Sequence, residues 1–167
     1  MSGGPPATVA HPVSHTVTRR ARAPLRCLFD EIVAEDVLPK VLHRYGIIPA
    51  VVATEGLTGP WHTPGSQRLV RTADHRTLRE QVTAWEQSRH FAYQVDGFTG
   101  VMARLVDRAV GEWTFSGRDS RSTFTWTYTF SATSAATTPF VWLFVRTMWS
   151  GYMRRCADRC VELAEAN

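Results

Sequence analysis

Lysine is almost absent from this sequence, and cysteine and long apolar runs are scarce. Only Lys40 among the 19 basic residues is a lysine; the rest are arginine. Such a skew reflects codon bias in a source genome more than a partner, so the net charge of +4 and pI near 9.3 are weak grounds for nucleic-acid binding. Cysteine is limited to Cys27, Cys156 and Cys160, an odd number that describes no disulfide framework. Cys156 and Cys160 share one helical face but lack a histidine or a second cysteine pair to complete a metal site, and they read as small packing residues. The longest apolar run, Pro139 to Val145, is cut by Arg146 and falls far short of the roughly 20 residues that span a bilayer. The opening MSGGPPATVAHP has no basic start and no apolar core. That excludes a secretory signal there and predicts a flexible tail over residues 1–12. Missing too are a Gly-rich phosphate loop, a Gly-x-Ser-x-Gly elbow, a Cys/His dyad and metal-spaced histidines. No cofactor or metal is called for, and a cytoplasmic location is expected. An enzyme built on this chain would work by shaping and proton transfer, not through a covalent nucleophile.

What remains is a chain of 167 residues that is 44% hydrophobic, enough for one folded domain over 13–166. It carries 6 Trp, 8 Phe and 4 Tyr, bulky surface that must line a core, a cavity or an interface. Val13 to Arg22 alternates as a strand does. Pro24 opens a helix with Leu25, Leu28, Phe29, Ile32 and Val33 on one stripe, and a second short helix follows from Asp36. From Val51 the period becomes two. Strands are predicted at 51–57, 67–72, 77–86, 90–95, 106–116 and 121–132, with Ala73-Asp74-His75 a tight turn and 97–105 a longer connection. Thr137-Thr138-Pro139 opens a last helix running nearly to the end, about 39 Å long if unbroken. Sequential hairpins and one long helix describe an α+β domain whose seven-stranded antiparallel sheet wraps around that helix.

This order resembles the helix-grip fold of the START/Bet v 1-like (SRPBCC) superfamily, in particular its actinobacterial polyketide cyclase/dehydrase-like members. The likeness is carried by Tyr45-Gly-Ile-Ile-Pro49, Thr58-Gly-Pro-Trp61, Gly65-Ser-Gln-Arg68, Val110-Gly-Glu-Trp-Thr-Phe115 and Arg146-Thr-Met-Trp-Ser-Gly-Tyr152. It implies a ligand cavity between the sheet and the long helix, entered past the loops and short helices. It does not select a function, since relatives include lipid carriers, hormone receptors, cyclases and co-chaperones. The Rieske branch is excluded because its Cys/His pairs are absent.

Strand alternation names the side chains that would face such a cavity. Phe124, Trp126, Tyr128 and Phe130 share one face of a strand, with Thr125, Thr127 and Thr129 on the other. Trp113 and Phe115, and Phe91, Tyr93 and Val95, fall on matching faces. This aromatic wall is either solid core or the lining for a planar apolar ligand. Leu78, Val82 and Ala84 put Glu80 on the inward face, and the three-residue turn sets Arg68 directly opposite it. A carboxylate there needs its partner, either to fix strand register or to act as a tuned general acid/base. Arg146 lies in a helix segment apolar on nearly every side, which suggests either a guanidinium reaching into the cavity or one snorkelling to the edge. Tyr93 and Tyr128 offer hydroxyls, while His43, Tyr45, Trp61 and His62 would rim the entrance.

The catalytic candidates are therefore Glu80, Arg68, Arg146 and Tyr93. Ligand contacts are expected from Trp61, His62, Phe91, Trp113, Phe115, Trp126, Tyr128, Trp149 and Tyr152. The expected partner is a small hydrophobic molecule, aromatic or polycyclic, and a homodimer is left open. Arg19, Arg20, Arg22, Arg26, Arg154, Arg155 and Arg159 are interspersed with acids, a mixed solvated surface on which nucleic acid is not expected. Three functions compete: a carrier, a cyclase/dehydratase closing a polyketide-like chain, and a protein-binding module. The first two are separated by whether Glu80 and Arg146 converge on one cavity, and both fail if the cavity is too small for a drug-sized ligand.

Overall fold

A computed structural model describes residues 11–167; most of the expected tail lies outside the described residues. Seven strands form one antiparallel sheet: β1 (Pro12–Ala21), β2 (Val51–Glu55), β3 (Gln67–Thr72), β4 (Thr77–Glu86), β5 (His90–Asp96), β6 (Val106–Arg118) and β7 (Arg121–Ala132), in the spatial order β1-β7-β6-β5-β4-β3-β2. Between β1 and β2 lie α1 (Leu25–Ile32) and α2 (Val37–Val41), and α3 (Gly100–Leu105) fills the long connection before β6. The C-terminal helix follows one path in three pieces: α4 (Thr138–Phe144), a π-helical stretch (Val145–Trp149) and α5 (Ser150–Glu165). The expected α+β helix-grip architecture is the observed one.

The two faces of the sheet follow from period two. Along the β1–β7 pair Ser14, Thr16 and Thr18 stand opposite Thr129, Thr127 and Thr125, and their hydroxyls bond across the strands at 2.8–2.9 Å. The other face is apolar: Val13 and Val17 of β1, and Phe124, Trp126, Tyr128 and Phe130 of β7, are all buried. Against it pack α1 and α5, which bring Leu28, Phe29, Met153 and Ala157 into the core. Removing this apolar surface from water is the main source of stability, at about 25 cal/mol per Å².

Irregularities decide which side chains point inward. β4 has a bulge between Val82 and Ala84. Up to Val82 the face matches the sequence pattern; beyond it the parity flips, so Trp85 rather than Ala84 packs inward, edge-on to Phe29 and Phe91. Within the π-helical stretch and just after it, hydroxyls bond back to their own helix, Thr147 Oγ1 to the Leu143 carbonyl at 2.7 Å and Ser150 Oγ to the Arg146 carbonyl at 3.0 Å. One turn later Gly151 leaves room for the Tyr45 phenol, which a Cβ there would overlap. The connection after α2 is thereby docked onto the long helix.

Gly111 plays the same part inside the sheet. It stands between Tyr93 and Tyr128 in the register, and a Cβ on it would run into the Tyr93 phenol. Gly111→Ala is expected to displace Tyr93 and cost about 1–3 kcal/mol of stability. A melting temperature equal to wild type would show that the ring relaxes freely.

Candidate functional site

On the inward face, towards the β2 edge of the sheet, β3 and β4 set Arg68 directly opposite Glu80, the register that the three-residue turn requires. Both residues are buried, with only 4% and 3% of their surface exposed. Arg68 Nη2 donates to Glu80 Oε1 at 3.3 Å and to Oε2 at 3.5 Å, while Nη1 donates to the Glu35 carbonyl at 2.8 Å. The guanidinium also lies over the Trp61 ring, 3.8 Å from its centroid. One polar group thus ties two sheet strands to the α1–α2 connection and to the β2–β3 loop. Burial pushes the Glu80 carboxyl above the ordinary glutamate value, outweighing the opposing pull of Arg68. Glu80 is accordingly a group that can hold or release a proton closer to neutrality than a surface glutamate.

Around this pair the interior holds two small adjoining lobes. One, of about 30 Å³, is walled by Trp61, Phe91, Trp113 and the α1–α2 segment; the other, of about 60 Å³, by Tyr128, Trp149 and Tyr152. Glu80, Tyr93, Trp126, Leu38 and Leu42 line both. Trp113 and Trp126 face each other across β6 and β7 and stack at 4.6 Å with ring planes 9° apart. The hydroxyls of Tyr93, Tyr128 and Tyr152 are held protonated, burial being the largest cause in each case. Cys156 and Cys160 line the first lobe, and the hydrogen bond from Cys160 followed by burial raises the Cys156 thiol. Arg68 Nε, Trp126 Nε1 and Trp149 Nε1 are buried donors with no hydrogen-bond partner. All three belong to residues that line the lobes.

The expected residues divide accordingly. Arg68, Glu80 and Tyr93 come together, as do seven of the expected ligand contacts: Trp61, Phe91, Trp113, Trp126, Tyr128, Trp149 and Tyr152. Three do not. Phe115 is solid core, packed against Phe29 and Trp113. His62 is exposed and sits in an outer groove with Trp85 and Gln87. Arg146 is exposed, its guanidinium over the Trp142 ring at 5.1 Å. The apolar stretch from Phe140 is not a buried helix: only Val141 and Val145 of it are fully buried, and Arg146 points away with the outer face. Leu38 and Leu42 are lining residues that a helical stripe alone could not assign, since the stripe shows that they pack but not against what. Among the described residues no cluster of three His, Cys, Asp or Glu is placed to hold a metal ion, and no helix is long and apolar enough to cross a membrane.

Residues 13–165 match the model of one protein family, described as "Polyketide cyclase / dehydrase and lipid transport". The chain belongs to this family. No curated protein sequence matches the chain. Solved structures of the same fold include Ara h 8.0201, at 16% identity and TM-score 0.65 over 93% of this chain and 96% of that one. The di-domain ARO/CYC BexL from the BE-7585A biosynthetic pathway shares 19% identity at TM-score 0.65, over 93% of this chain and 51% of that one. Protein MLL2253 from Mesorhizobium loti shares 13% at TM-score 0.64, over 93% and 98%. At these identities the likeness establishes the fold.

The buried pair gives this family member a test by pH. A carboxyl that binds its proton more tightly folded than unfolded contributes its stability fully below its ordinary value and loses it as pH rises through the raised one. Relative to Glu80→Gln, wild type should lose stability as pH rises above the ordinary glutamate range. Arg68→Met should carry that loss to higher pH and destabilise by about 3–5 kcal/mol at neutrality. Melting curves from acid to neutral pH check this; parallel curves for all three proteins would contradict the burial of an uncompensated carboxyl.

Proposed function

We propose that this protein binds a planar, hydrophobic small molecule bearing oxygen acceptors between its sheet and C-terminal helix, and that Glu80 performs acid/base chemistry on it. The observation that carries the reading is the set of three unpartnered buried donors, Arg68 Nε, Trp126 Nε1 and Trp149 Nε1, on residues of a largely aromatic wall. Each unpaired buried donor costs about 1–3 kcal/mol, which a carbonyl or enolate oxygen would recover. Stacked indoles suit an aromatic or polycyclic ring system.

The lobes as they stand hold about 30 and 60 Å³, whereas drug-sized ligands occupy roughly 300–1,000 Å³. Binding in this reading therefore requires the interior to open. The part taken to move is α2, a five-residue helix with Pro39 in its first turn; its Leu38, and Leu42 just beyond it, line both lobes. Withdrawing these two side chains would merge the lobes into one pocket. With a poly-β-ketone in it, ionised Glu80 would take a proton from an activated methylene. The enolate, stabilised by the Arg68 guanidinium, would attack a second carbonyl of the same chain to form the C–C bond, its alkoxide taking the proton back from neutral Glu80. Dehydration would follow when Glu80 removes the remaining proton from the former methylene carbon and passes it to the departing hydroxyl, which leaves as water as the C=C bond forms. The family description, with both cyclase/dehydrase and lipid transport in it, accommodates this chemistry and simple carriage alike.

The non-catalytic carrier is favoured by one observation, the position of Arg146 on the outer surface, which leaves the interior with a single arginine. Native mass spectrometry of the purified chain should reveal a bound small molecule. Titration with a hydroxylated anthraquinone should quench tryptophan emission saturably, and Leu38→Trp, which fills the lobes, should weaken binding by about tenfold or more. Absence of both adduct and saturable quenching would overturn the reading. If Glu80→Gln leaves turnover of an aryl poly-β-ketone unchanged, the carrier is the correct form of it.

A further inference from the structure

The N-terminal part of the C-terminal helix presents an apolar face to solvent. Phe140 is 63% exposed, and Trp142 and Leu143 are more than half exposed. Beside α4 stands α3, whose Val101 is 71% exposed; the Thr133 amide and hydroxyl donate to the carbonyls of Leu105 and Arg104 at 3.0 and 2.7 Å and tie α3 to the connection that leads into α4. The interior does not need these four side chains, because α4 already buries Val141 and the next turn buries Val145. Clustered large apolar groups at that exposure mark an interaction surface.

Charge identifies what the surface meets. From Gly97 to Val106 and from Thr133 to Arg155 the chain has no Asp or Glu, while Arg104, Arg146, Arg154 and Arg155 all fall there. Arg146 lies over the Trp142 ring, and Asp107 is the first acid beyond α3. A second copy placed face to face would set one basic, acid-free face against another. The exposed apolar side chains line neither lobe of the interior site.

We propose that the α3–α4 face docks on the surface of an anionic lipid bilayer. Phe140, Leu143 and Val101 would enter the acyl boundary, Trp142 would sit at headgroup level, and Arg104 and Arg146 would meet the lipid phosphates. Apolar insertion and basic attraction are the two signals that peripheral attachment needs, and neither requires a spanning helix. The surface stands independently of the interior site, although Trp149 on the same helix walls one of its lobes.

Co-sedimentation of the full chain with vesicles tests this. The protein should pellet with vesicles of phosphatidylcholine mixed with phosphatidylglycerol and stay free with phosphatidylcholine alone, and added salt should release it. Arg146→Glu, and separately Phe140→Ser with Leu143→Ser, should each lower the bound fraction's affinity by about tenfold, with melting temperatures at the wild-type value because the side chains are exposed. Failure of wild type to bind the anionic vesicles overturns the proposal, as does binding that neither variant weakens. A concentration-dependent dimer abolished by the Phe140/Leu143 variant also overturns it and assigns the face to a second copy.

Discussion

Burying one arginine and one glutamate in an aromatic wall is the constraint on which the rest of this structure turns. Neither charge is tolerable there alone, so strand register, turn length and neighbouring loops must all deliver a partner to the same point. The turn at Ala73–His75 puts Arg68 opposite Glu80. The β2–β3 loop supplies Trp61 beneath the guanidinium, and the α1–α2 connection supplies the Glu35 carbonyl. The same contact that solves the electrostatic problem fastens the short helices over the sheet. A pair of apolar residues would close the core with less difficulty, and the bonds to Glu80 are long, at 3.3 and 3.5 Å.

Much of this was legible in the sequence where a single period governs. The Arg68–Glu80 register followed from a three-residue turn between two alternating strands, and the β7 aromatics followed from uninterrupted alternation. Legibility ended where a local irregularity intervened. The β4 bulge adds one residue and changes the parity of everything after it, so Trp85 was hidden and Ala84 misplaced. Arg146 failed for another reason: a segment apolar on every side implies burial only if something covers every side, and here the sheet covers one. The lining residues of α2 were visible as a stripe, but which surface a five-residue helix caps is a tertiary fact. Phe115 shows the reverse limit, since the inward face of a strand includes both cavity wall and solid core.

The interior is nearly closed, and its closure is itself informative. Trp113, Trp126, Tyr128, Trp149 and Tyr152 form a continuous chain of ring contacts, so the wall opposite α2 is rigid. What caps it is short, carries a proline and is held partly by the Tyr45 contact at Gly151 and by Arg68. In the proposed reading, a ligand would enter by displacement of the cap and be oriented by the wall. The unpartnered donors belong to the wall and to the arginine.

The most direct measurement separates structure from function at the central pair by replacing both charges together. Arg68→Met with Glu80→Leu keeps volume and apolar packing while removing the ion pair. Its melting temperature and its binding of a hydroxylated anthraquinone should be measured on one preparation. The expected result is stability equal to or above wild type with binding weakened by about tenfold or more. A variant as stable as wild type that binds equally well would contradict the account and leave Arg68 and Glu80 as a device for strand register alone.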